Sequence, residues 1–352
     1  MANILELVKV YTPEIDEKTQ KNLKYPPEIS RFSTPTKQIN MQYPIQFNED
    51  ELKEKARTMR KDIVKATHAA GSGHPGGSLS ATELFIVLYN SILRHDCDKP
   101  THETRDRFIL SKGHITPAYY SILARTGYFD PEELLSFRKF GHFLQGHPKK
   151  DLQHGIEIGG GSLGQNLSIA VGQALGLKKR FTKSPGTDTD ADTPNLNIPR
   201  VFDMSSEGEL QEGMMWEAIM SASHYKLNNL CIMVDYNRLQ IDGRTEDVME
   251  VAPLDKKFEA FGWNVIVLKD GHDLNEIYQA FKKFNLLSAG KAPATQEPDQ
   301  PELDPTKPTA IIATTIKGKG ISFMEDNPAW HGKAPNDKEL AQAIYELNET
   351  KN

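Results

Sequence analysis

The feature that most restricts the fold of this chain is a regular exchange between two apolar patterns, running from residue 50 to residue 316. One pattern has helical spacing. Leu52, Ala56, Met59, Ile63, Ala66 and Ala70 recur at three- and four-residue steps and predict an amphipathic helix that stops at Gly71. Leu167, Val171, Ala174 and Leu175 repeat that spacing, as do Leu210, Met214, Ala218, Ala222 and Tyr225. The other pattern is a short continuous run, as in Phe108-Ile109-Leu110, Val201-Phe202 and Leu230 to Val234. Helices expected over 253–261 and 274–284 and strands over 263–268 and 310–316 continue the exchange. Ser80 with Glu83 reads as a capping box opening a helix over 81–93, and Pro131 as the first turn of a helix over 132–137. Such alternation predicts an α/β fold, a doubly wound and mostly parallel sheet with helices on both faces. Ligands in such sheets bind at the carboxyl ends of the strands, where every glycine-rich segment of this chain falls.

Composition narrows the partners. A formal charge of -6, from 42 Lys plus Arg against 48 Asp plus Glu, supplies no basic footprint for nucleic acid or an anionic membrane. Two cysteines, Cys97 and Cys231, exclude a disulfide framework and a cysteine-based zinc site. No apolar run is long enough for a membrane span, and residues 1–10 lack the pattern of a signal peptide. The expectation is a soluble cytoplasmic protein. Residues 1–48, polar and interrupted by Pro26, Pro27 and Pro35, read as an N-terminal arm, 49–340 as one ligand-binding domain and 341–352 as a tail. The Thr/Asp/Pro-rich stretch 182–199 and the Pro-rich stretch 291–308 read as surface excursions.

Seven histidines stand beside glycine; His142, His154 and His272 read as ordinary residues, and the other four, His74, His114, His147 and His331, are the candidates. Glycine lets backbone and ligand approach closely, and an imidazole can donate to a phosphate or pass a proton. Each alone reads more readily as an ordinary loop histidine than as a catalytic one. The stretch Ser206-Glu207-Gly208-Glu209-Leu210-Gln211-Glu212-Gly213 lies between a strand and a helix, a natural place for a diphosphate. Its three glutamates read in two ways. They could complement the helix dipole, at about 0.3–1 kcal/mol each. Alternatively one could hold a hard divalent cation against a diphosphate, with Asn237 beyond the next strand as a second oxygen ligand.

In order along the chain, these motifs resemble the amino-terminal half of transketolase. The matching segments are Ser72-Gly73-His74-Pro75-Gly76, Arg107 to His114, Gly161-Ser162-Leu163-Gly164-Gln165, Gly208 to Gly213, Asp242-Gly243, Gly271-His272-Asp273 with Trp263, and His331-Gly332-Lys333-Ala334-Pro335. The resemblance spans about residues 50–340. It implies thiamine diphosphate as cofactor, with Mg²⁺ or another divalent ion such as Ca²⁺, and transfer of a two-carbon ketol unit from a ketose donor to an aldose acceptor. It gives His74, His114, His147 and His331 as active-site histidines. His114, Gly161, Ser162, Leu163, Glu207, Gly208, Glu209, Asn237 and His331 fall at cofactor-contact positions. Glu207, Asn237 and the carbonyl of Leu239 fall at the metal ligands. The family's pyrimidine-binding and C-terminal domains have no counterpart in these residues. The resemblance is therefore to the small subunit of a split enzyme, completed by a second subunit, with an α₂β₂ heterotetramer as the simple expectation.

The sequence departs from the family pattern at three places. Ser206-Glu207-Gly208 stands where the family has Gly-Asp-Gly, Asn166 where a glycine is usual, and Asp203 inside a strand expected to be buried. A positive φ at Ser206 would cost about 1–2 kcal/mol, and a glutamate reaches one methylene further toward a metal than an aspartate. These departures sustain an alternative, a non-catalytic transketolase-like scaffold or regulatory subunit with an impaired metal and diphosphate site. A related synthase that decarboxylates pyruvate fits less well, because its histidine turn normally lacks the His-Pro-Gly run of residues 74–76.

Overall fold

The computed structural model describes residues 42–182, 198–293 and 302–349. The expected arm lies outside them up to residue 41, and so do residues 183–197 of the first excursion and 294–301 of the second. Ten α-helices occur among the described residues: α1 (Glu49–Ala70), α2 (Pro75–Ser80), α3 (Thr82–Ser91), α4 (Thr116–Arg125), α5 (Asn166–Phe181), α6 (Gly213–His224), α7 (Thr245–Val248), α8 (Leu254–Ala260), α9 (Leu274–Ser288) and α10 (Asp337–Glu349). The strands are β1 (Arg107–Leu110), β2 (Val201–Ser206), β3 (Leu230–Tyr236), a short hairpin of β4 (Leu239–Gln240) and β5 (Gly243–Arg244), β6 (Asn264–Leu268) and β7 (Thr309–Thr314).

Five strands form one sheet in the order β1-β2-β3-β7-β6, every neighbouring pair parallel. Alternate side chains leave a strand on opposite faces. Phe108, Leu110, Phe202, Met204, Cys231, Met233, Ile311 and Ala313 enter one core, shared with α1, α3, α4 and α9. Ile109, Val201, Ile232, Val234, Ala310 and Ile312 enter the other, against α5, α6 and α8. All ten residues of α3 are buried, so this helix is apolar around its circumference and belongs to the interior. None of the described helices is long and apolar enough to cross a membrane.

Several local expectations need correction. Ser80 and Glu83 do not cap a helix, because both side chains have stronger distant partners. Ser80 Oγ donates to Asp235 Oδ2 at 2.6 Å, and Glu83 pairs with Arg60 and His272. The glycine-rich turn is shorter than it reads, since α2 already begins at Pro75. The turn after Asp130 is a 3₁₀ segment, Pro131–Ser136. The α6 helix starts at Gly213, preceded by a separate 3₁₀ turn at Glu209–Gln211. Glu209 causes this interruption by turning inward to Ser111 Oγ at 2.7 Å and Gly164 N at 3.0 Å. The last helix, α10, runs across the boundary expected at residue 340.

Gly71 closes α1 in the left-handed conformation, φ 59°, and no atom lies within 4 Å of where a Cβ would stand. The cost of Gly71→Ala is therefore backbone strain alone. A loss of about 1 kcal/mol is expected, read from denaturant unfolding with an unchanged m-value.

Candidate active site

Four adjacent strands deliver their carboxyl ends to one cleft. Lys112 and His114 follow β1, Glu207 and Gly208 follow β2, Asn237 and Leu239 follow β3, and Lys317 follows β7. The cleft, about 200 Å³, is lined by these residues with His74, Leu163, Glu209, Gln240, Ile241 and His331. A larger crevice of about 950 Å³ opens beside α1 and α10 and contains none of the four histidines singled out above.

The histidines converge. The His114 ring lies 4.8 Å from His74, 5.4 Å from His147 and 5.9 Å from His331, centroid to centroid, with His74 and His331 5.4 Å apart. Gly161 permits this closeness. At φ 131°, it stands where an added Cβ would be 3.0 Å from His147 Cγ, and a Cβ on Gly113 would lie 2.8 Å from Gly161 N. Burial lowers all four imidazoles. His74 and His114 sit at about 4 and His331 at about 3, with their mutual repulsion and Lys317 adding to the effect. His147 is lowered too, by burial and then by Arg138. The cluster is neutral at pH 7. His331 Nδ1 accepts from the Lys317 ammonium at 2.8 Å, so its proton sits on Nε2, which is buried and has no partner. His74 Nδ1 is likewise buried and unpartnered.

One measurement checks this electrostatic reading. The imidazole C2–H resonances of His74, His114 and His331 are expected to stay in the neutral form down to pH 5, while a solvated histidine titrates near 6.5. The sign for stability follows. The unfolded chain binds more protons between pH 6.5 and about 4, so stability falls as pH drops through that window.

Two lysines meet beneath the histidines, and sequence reading assigned a role to neither. Lys112 is 6% exposed and Lys317 2%. The Lys112 ammonium pairs with Asp235, which also accepts from Ser80 Oγ, from Thr315 Oγ1 and from Asn237 Nδ2 at 3.2 Å. Burial alone would raise the Asp235 carboxyl, but Lys112 and these donors outweigh it and hold it below its ordinary value. Lys317 has no carboxylate partner among the described residues. It donates to the Leu239 carbonyl at 2.9 Å, and burial, then Lys112, pushes it down to about 8.

Glu207 is 1% exposed and Glu209 is fully buried, so these carboxylates do not act as a solvated complement to a helix dipole. Burial, then Asp235, raises Glu207 to about 7. Its Oε2 is buried without a partner, and Oε1 accepts from Thr245 Oγ1 at 3.3 Å, the longer side chain spanning to α7. Among the described residues no three His, Cys, Asp or Glu side chains converge as a metal site. A divalent cation would instead draw on mixed oxygens. The Glu207 carboxylate, the Asn237 side chain and the Leu239 carbonyl share this wall, a set that suits a hard cation. The fit to a diphosphate comes from the two buried ammonium groups.

The remaining expectations divide. Leu163 and Gly208 line the cleft. Ser162 Oγ only accepts from Gln165 Nε2. His147 packs on His114 at the outer side of the cluster. Ser206 ends β2 in register with Asp235 and has no positive φ, so it carries no left-handed strain. Asn166 is accommodated by donating to the carbonyls of Leu110 and Gly159 at 3.0 and 3.3 Å. Asp203 is buried with Oδ2 unpartnered, and burial, then Glu209, raises its carboxyl far above the ordinary range. It is held neutral.

Residues 50–348 match the transketolase family at its thiamine diphosphate binding domain. One of the subunits of apulose-4-phosphate transketolase from Actinobacillus succinogenes is 37% identical over 308 residues, which cover 87% of this chain and 99% of that one. Human transketolase is 38% identical over 295 residues, 84% of this chain but 41% of the human enzyme. Among solved structures, the transketolase of Campylobacter jejuni superposes with a TM-score of 0.71 at 29% identity, covering 86% of this chain and 43% of that one.

Proposed function

The chain belongs to the transketolase family, through the thiamine diphosphate binding domain matched over residues 50–348, and from that premise we propose that it is the diphosphate-binding subunit of a split transketolase. One observation carries the reading. The chain spans nearly the whole length of the Actinobacillus polypeptide, which is itself one subunit of its enzyme, yet about two fifths of human transketolase. A partner carrying the pyrimidine-binding and C-terminal domains would complete the site, in an assembly of two copies of each. The donor would be a ketose, phosphorylated or bearing another anion, and the acceptor an aldose.

The bound cofactor would supply the electron sink that stabilises a carbanion. The work of this chain is to hold and to exchange protons. Lys112 and Lys317 set positive charge against the diphosphate, and Glu207, Asn237 and the Leu239 carbonyl hold the divalent ion, Mg²⁺ or a larger cation. Glu209 fixes the Gly161–Gly164 loop through Gly164 N, which would let Gly161 and Leu163 hold the aminopyrimidine. His331 would present an open donor, and His74 an unpartnered Nδ1, to sugar hydroxyls. His114 stands between them as a neutral base or relay.

The test is reconstitution. Ketol transfer is expected only when this chain is mixed with its partner, and it should disappear with a chelator and return with added divalent ion. Transfer by the lone chain would overturn the half-site reading. A stoichiometric complex that binds neither cofactor nor metal would favour a scaffold instead.

A further inference from the structure

Arg138 is the least explained cation near the cleft. It is a non-glycine residue in the left-handed region, φ 59°, a conformation that persists only where surrounding contacts enforce it. Among the described residues its guanidinium forms no ion pair. Instead it lies between two histidine turns. Nη1 donates to Ser72 Oγ at 2.8 Å, two residues before His74. The guanidinium covers Gly146, immediately before His147, so closely that a Cβ there would stand 2.7 Å from Nε, 2.8 Å from Cζ and 3.0 Å from Nη2. Phe137 grips the same His74 turn, its ring 3.1 Å from where a Cβ on Gly73 would stand. Arg138 N donates to the Leu144 carbonyl at 2.8 Å and closes the loop, while Thr116 Oγ1 holds the Gly146 carbonyl at 2.8 Å from the opposite side.

We propose that Arg138 is a positioning residue for the histidine cluster, a strap that fixes the His74 turn against the His147 turn and sets an unpaired positive charge beside both imidazoles. Its relevance to ketol transfer rests on the function proposed above, but the geometry does not. A half-buried guanidinium without a carboxylate is costly unless its charge or its fixed fork of donors is used. Here the fork spans two turns that no described backbone hydrogen bond joins directly. The charge acts in the same direction as burial. His74 faces His114, His331, Lys317 and Arg138, whereas His147 faces His114 and Arg138. His114, Arg138, His147 and Lys317 disfavour protonation of His74, and Arg138 disfavours that of His147, so Arg138 is the cation the two share.

The test uses the full chain and the C2–H titrations of His74 and His147, which need neither partner nor cofactor. Arg138→Met should move both midpoints upward. Arg138→Lys keeps the charge without the fork and should move them less. Gly146→Ala supplies an independent perturbation, since its methyl must displace the guanidinium without changing the Arg138 side chain itself, and it should shift the midpoints in the same direction. In an Arg138→Met background Gly146→Ala should add nothing, because the displaced group is gone. Unchanged midpoints in folded Arg138→Met, or full additivity of the two substitutions, would overturn the strap. Should Arg138→Met fail to fold, Arg138→Lys and Gly146→Ala decide the matter by themselves. Failure of ketol transfer on reconstitution would count against the proposed function and leave this result standing.

Discussion

Replacing Lys317 by methionine is expected to weaken thiamine diphosphate binding about thirtyfold or more, with little change in the stability of the chain. The two effects separate because Lys317 is a buried cation that forms no ion pair among the described residues. In the folded chain its ammonium loses hydration, the cost that depresses it to about 8. Methionine removes that cost but leaves the Leu239 carbonyl and His331 Nδ1 without their donor. The two terms oppose each other, and a net change within about 1 kcal/mol is expected. Binding has no such compensation. Loss of a desolvated charge partner typically costs about 2–5 kcal/mol, and each 1.4 kcal/mol is tenfold in affinity. The pH dependence provides an internal check. Above pH 8 the free chain holds Lys317 increasingly neutral and must take up a proton to attract a diphosphate, so native affinity should fall as pH rises there. Lys317→Met should lack that fall. Calorimetric titration of cofactor at pH 7 and pH 9 reads both effects, and equal affinities in the two proteins at pH 7 would remove Lys317 from the site.

Lys112 is not equivalent. Its partner Asp235 is fully buried, and Lys112→Met would strand a carboxylate among Ser80, Thr315 and Asn237. A stability loss accompanies any loss of binding there, so Lys317 gives the cleaner experiment.

The difference between these lysines also explains what the sequence could disclose. The four histidines were legible because each stands beside glycine at a position that the family resemblance marks; glycine alone does not single them out, since His142, His154 and His272 share it. Lys112 and Lys317 were not, since nothing local distinguishes a buried lysine from a solvated one. Their burial arises only when β1 and β7 take their places in the same sheet. The same reason defeats the capping box. Ser80 and Glu83 have the right spacing, but Asp235, Arg60 and His272, remote in sequence, claim their side chains. Glu207 and Glu209 likewise read either as helix-end charges or as cation ligands until Gly164, Ser111 and Thr245 show that both point inward. The alternation of apolar periods was legible throughout. It depends on which face of each element is buried, and that is written within the element itself.

His114→Ala should lower the turnover of the reconstituted enzyme by about a hundredfold to ten-thousandfold, the range for loss of a positioned proton-transfer group. His114 is chosen because its ring is the only one of the four within 6 Å of all the others, so any proton passing among them can cross it. Neutrality is what makes this role available at pH 7. An imidazole at about 4 is present almost wholly as a free base, ready to accept, while its neighbours His74 and His331 keep an unpartnered nitrogen each. Activity should therefore hold level as pH drops from 7.5 to 6, where a solvated histidine base would already be more than half protonated, and decline only at lower pH. Turnover and cofactor affinity must be measured together. A fall in turnover with unchanged affinity places His114 in proton transfer. A fall in affinity with unchanged turnover at saturating cofactor makes it a cofactor ligand. Retention of both within tenfold would exclude His114 from the chemistry and leave His74 and His331 to act without an intermediary.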